Sequence, residues 1–84
     1  MGDPVNQEHQ ILYKDFIVWA SPMQVAESGE WTLEVHIMRK NGDAVKRYFS
    51  KNTFQTEWEA VYHSVKYGKM IIDGKIAGCS IANI

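Results

Sequence analysis

At 84 residues, 45% hydrophobic and 23% charged, the chain has room for one packed core and excludes a second domain, a long apolar span and the composition of a disordered protein. A formal net charge of −1 removes the usual electrostatic basis for nucleic-acid binding and leaves only a local basic patch to support it. The single cysteine, Cys79, has no partner for an internal disulfide, and the start of the chain lacks the basic and apolar regions of a secretory leader, so a cytoplasmic protein is expected.

Residues 1–10 are polar, contain Pro4 and show no period, which reads as a flexible arm ahead of a single α+β domain over 11–84. The stretch "ILYKDFIVWASP" is rich in β-branched and aromatic residues. It predicts a short strand at 11–13, a tight turn at Lys14-Asp15 and a longer strand at 16–20 that ends before Pro22. After Ser28-Gly29, "WTLEVHIMRK" alternates strictly, with Leu33, Val35 and Ile37 on one face and Thr32, Glu34, His36 and Met38 on the other. Asn41-Gly42-Asp43 then predicts a hairpin from which "AVKRYFS" returns antiparallel. Loop length decides which side chains of the returning strand face the core. A three-residue loop pairs Val35 with Phe49 and buries Phe49, leaving Tyr48 outside beside His36. A two-residue loop buries Tyr48 instead. The first register is the one expected.

Helix signals follow. Thr56 is placed as N-cap with Glu59 three positions on, and Glu57 adds acid to the first turn. Trp58, Val61, Val65, Gly68 and Ile72 fall on one stripe, with Ala60, Ser64, Tyr67 and Ile71 beside it, so one wide face should pack on the sheet. The stretch "YGKMIIDGKIAG" carries three glycines, but a phosphate loop needs its glycines before a helix, where free N–H groups meet the anion. Here the order is reversed: Gly68 lies inside the helix and Asp73-Gly74 ends it. Gly68 is therefore expected to let the helix approach the sheet closely, and no nucleotide cofactor is expected.

The remaining residues offer little chemistry. His9, His36, His63 and Cys79 lack the short spacings of a metal site, and no catalytic set, metal site or cofactor site is expected. The weakest reading is an enzyme centred on Cys79 with His63. Arg39, Lys40, Lys46 and Arg47 surround one hairpin tip and form a candidate phosphate-binding cluster. With Phe16, Val18 and Ala20 inward, Ile17, Trp19, His36, Met38 and Tyr48 point away from the helix. A sheet covered on one side should be polar on the other, so this apolar set is the candidate interaction surface unless a chain terminus folds over it.

Taken together, "LYKDF", "GEWTLEVHI", "FQTEWEAVYHSVKYGKMIIDG" and "GCSIANI" resemble a family of small bacterial proteins of unknown function. Its pattern is a Tyr-Lys/Arg-Gly-aromatic opening, a Trp-x-x-x-Val-x-Ile strand, a Phe-x-Thr-x-x-Glu-Ala helix start and a closing Ile-Asp-Gly. The matching positions are Tyr13, Phe16, Trp31, Val35, Ile37, Phe54, Thr56, Glu59, Ala60, Ile72, Asp73 and Gly74, with Asp15 in place of the usual glycine. The resemblance implies a three- or four-stranded antiparallel sheet with one helix and supplies no catalytic residues. The element order also looks like the plant AP2-type DNA-binding domain, which implies groove reading by the sheet with Trp19 in the tryptophan role. The expectation from the sequence is thus a β-β-β-α meander with a C-terminal helix on one face. Its function is expected to be a non-enzymatic interaction module, binding another protein or a second copy in a homodimer. Nucleic-acid binding is the alternative, and membrane association is not expected.

Overall fold

The protein, seen in a computed structural model, is described over residues 10–79 and 81. Four strands, β1 (Gln10–Tyr13), β2 (Phe16–Ala20), β3 (Trp31–Arg39) and β4 (Val45–Phe54), form one antiparallel sheet in sequential order, followed by helix α1 (Glu57–Ile72). This is the α+β meander the sequence predicts, with four strands. Gln10, read from sequence as the end of the arm, already pairs with Trp19. Lys14 (φ 50°) and Asp15 (φ 70°) make the β1–β2 turn, both in the left-handed region that a two-residue hairpin loop requires. The glycine of the resembling pattern would occupy the second of these positions without strain.

Small residues bring the helix down onto the sheet. Ala60, Val61, Ser64, Gly68 and Ile71 are its buried face, above Val18, Val35 and Ile37. A Cβ built on Gly68 would lie 2.8 Å from both Val18 Cγ1 and Val35 Cγ2, the close approach expected of this glycine. Ser64 is fully buried, and its hydroxyl accepts the Glu34 backbone N–H at 3.2 Å, pinning the helix to the central strand. Thr56 Oγ1 accepts the Glu59 N–H at 3.1 Å, and Gly74 (φ 76°) closes the C-terminal turn.

Two expectations are corrected. Val35 pairs with Tyr48, not Phe49, so Tyr48 is buried in the core and Phe49 lies outside, 64% exposed. The cause is loop parity: Met38 faces Val45 across six connecting residues, an even number, with Gly42 N–H turning back to Arg39 O. Trp58 is 72% exposed rather than part of the sheet-facing stripe. It lies about 120° around the helix from Ser64, the residue that faces the sheet, so its side chain points away from the sheet.

Candidate functional site

The surface opposite the helix is built by strand pairing. Leu12 pairs with Ile17, Ile17 with Met38 and Met38 with Val45, so four apolar side chains run in one row across all four strands. The next row is Gln10, Trp19, His36 and Arg47, and beyond it Glu34 faces Phe49. Leu12, Val45 and Phe49 are exposed, whereas Ile17, Trp19, His36 and Met38 are half-buried by their neighbours. At the centre, the Trp19 and His36 rings meet edge to face with centroids 5.3 Å apart, and His36 Nε2 lies 3.0 Å from Glu34 Oε2. That hydrogen bond and ring contact hold the middle of the face rigid while its apolar rim stays open. Side chains held in this way lose little entropy when a partner arrives.

Of the predicted surface residues, the structure therefore brings together Ile17, Trp19, His36 and Met38. Tyr48 does not belong to the surface; burial raises the pKa of its phenol above 10.0. The even β3–β4 connection puts Phe49 and Val45 on this face in its place, and the two-residue turn at Lys14-Asp15 adds Leu12 opposite Ile17. The described part of the C-terminal tail does not cover this face, since Ile76, Cys79 and Ile81 pack against the core on the helix side.

The four basic residues of the hairpin do not converge. The Arg39 guanidinium lies 4.9 Å over the Phe16 ring and Lys46 pairs with Ile37, both on the helix side of the sheet. Arg47 pairs with His36 on the outer face, and Lys40 lines a shallow recess with Leu12 and Ile17. His63 stacks on Phe54 at 4.6 Å, while Cys79 lies beside Tyr48 and Tyr67. Among the described residues there is no group of three or more His, Cys, Asp or Glu side chains able to hold a metal, and no helix is long and apolar enough to cross a membrane.

A second constellation, not foreseen from sequence, joins the start of the domain to its end. Tyr13 donates to Asp73 Oδ2 at 2.8 Å and Lys14 Nζ donates to Asp73 Oδ1 at 2.6 Å. The hydrogen bond from Lys14, then that from Tyr13, lowers the pKa of the Asp73 carboxyl, and the same carboxylate raises those of Tyr13 and Lys14. These are the Tyr-Lys opening and the Asp of the closing Ile-Asp-Gly, here in direct contact. One carboxylate thus holds both donors, and the cluster clasps the β1–β2 turn to the end of the helix. Comparison of the chain with family models, with curated proteins and with solved structures finds no match.

Proposed function

We propose that this chain is a non-enzymatic interaction module that binds a second copy of itself through the outer face of its sheet. The carrying observation is the unbroken apolar row Leu12, Ile17, Met38 and Val45, flanked by Trp19 and with Phe49 one row further, on the side of the sheet opposite α1. Strands of four, five, nine and ten residues, about 4.8 Å apart and rising about 3.3 Å per residue, present a face of about 440 Å² in projection. Two such faces with their side-chain relief approach the ~1,000 Å² at which specific interfaces begin. A net charge of −1 offers little repulsion between copies. Pairing by strand edges is less suited, because β1 is short and β4 carries Lys46, Arg47 and Lys51 and an irregular register opposite Thr32 and Leu33.

Nucleic acid on the same face is the less favoured reading, since Arg39 and Lys46 lie on the other side. The test is sedimentation equilibrium of the wild type, Leu12→Glu and Trp19→Asp. Leu12 is 62% exposed, so its substitution should leave the fold intact while weakening association at least tenfold, with Trp19→Asp weakening it further. Equal association of wild type and both variants, with unchanged thermal unfolding, would remove the outer face from consideration.

A further inference from the structure

The exposed side of α1 carries a second pattern that neither the core nor the sheet face uses. Trp58, Tyr62, Val65 and Lys69 follow one another at spacings of four, three and four residues, the a/d seam of a heptad repeat. They line one apolar groove along the helix, together with Val61, Glu59 and Lys66. Trp58 and Tyr62 are 72% and 62% exposed. The flank of the seam nearer the sheet is occupied by buried Val61 and Gly68, and the open flank carries Glu59 and Lys66.

The order of these charges selects the occupant. A helix laid antiparallel along this seam meets Glu59 with whatever it carries near its own C-terminal half, and meets Lys66 with what it carries near its N-terminal half. This helix supplies the complement to itself, because acid leads at Glu59 and base follows at Lys66 and Lys69. The stacking is self-consistent as well: Tyr62 falls against Val65 of the second copy, and Trp58 falls against the alkyl stem of Lys69 of the second copy, whose ammonium lies 5.5 Å over the Tyr13 ring of its own chain.

We infer that α1 is a second self-association element, pairing with α1 of another copy in antiparallel, two-fold fashion through Trp58, Tyr62, Val65 and Lys69, with Glu59–Lys66 pairs setting the register. A two-fold contact requires each residue to meet its counterpart reciprocally, and the Glu59–Lys66 arrangement does so twice per dimer. This surface is separate from the sheet face, so each can operate without the other.

Charge exchange tests it, in the full-length chain carrying Leu12→Glu so that the sheet face does not contribute. Glu59→Lys places two lysine pairs in the dimer, and Lys66→Glu places two glutamate pairs there. Each alone should raise the dimer dissociation constant at least tenfold in sedimentation equilibrium. The double variant E59K/K66E should recover the parent value. An equimolar mixture of the two single variants, one isotopically labelled, should form mixed dimers in preference to either homodimer by native mass spectrometry. A parent that stays monomeric, single variants that associate like the parent, or a mixture with no preference for the mixed dimer would each overturn the pairing. Tyr62→Glu, whose side chain is exposed, provides the control that the apolar seam and not the charges alone drives association.

Discussion

A methyl group at residue 68 would meet two valine methyls at 2.8 Å, one on β2 and one on β3, which is nearer than packed carbons come. Glycine in a helix interior costs ~1 kcal/mol relative to alanine, so a propensity argument alone recommends Gly68→Ala. Overpacking a close-fitted core costs ~1–3 kcal/mol, and here the contacts are β-branched side chains on rigid central strands. The packing term exceeds the propensity gain. Gly68→Ala should therefore lower stability by about 1–2 kcal/mol, read as a fall in the denaturant midpoint. A raised midpoint would mean that the helix can lift from the sheet without loss.

At the scale of elements, the β3–β4 hairpin shows how one residue of loop length reallocates a whole face. Tyr48 and Phe49 are adjacent and both aromatic, so composition does not separate them, and strand alternation fixes only that they point in opposite directions. Their energies differ because their environments do. Tyr48→Ala should cost about 3 kcal/mol through the cavity it leaves between the sheet and the tail residues, whereas Phe49→Ala should cost less than about 1 kcal/mol. Reversed values in urea unfolding would require the other register. The irregularity between Thr32 and Leu33 adds two residues on β4 and so preserves this alternation, returning Phe54 to the helix side where it stacks on His63.

For the whole molecule, the clasp of Tyr13, Lys14 and Asp73 ties the first hairpin to the end of the helix across 60 residues. Its dependence on pH follows from the signs of the shifts. The folded-state pKa of Asp73 is lowered, so its contribution is fully present above the ordinary carboxyl value of 3.8 and is lost as pH falls below that through the folded-state value. Those of Tyr13 and Lys14 are raised, so their contributions are present below 10.0 and 10.5 and disappear as pH rises through the higher folded values. The difference in melting temperature between wild type and Asp73→Asn should accordingly be flat between these limits and should close in strong acid. A difference that persists unchanged well below the carboxylate range would show that the clasp acts through shape alone. The molecule is a slab 16 Å thick, with the sheet face and the helix seam on different sides. Two-fold contacts through both would build assemblies larger than a dimer.

The period of two in β3, the turn residues at Lys14-Asp15 and Asn41-Gly42, and the N-cap at Thr56 are local signals, and from them the sequence by itself determined the strands, the helix and their order. It also pointed to a close contact at Gly68, because a glycine inside the apolar stripe gives up helix propensity and lets the helix approach the sheet. Tertiary structure alone decided the even connection that turned Tyr48 inward and Phe49 outward, because backbone geometry at the loop, not residue type, sets that parity. It decided too that Trp58 leaves the sheet-facing stripe, since the packing of Ala60, Ser64 and Gly68 on the sheet determines which arc of the helix is covered. The meeting of Tyr13, Lys14 and Asp73 belongs to the same class: contacts across 60 residues have no local signature, and only the folded chain brings them within 3 Å.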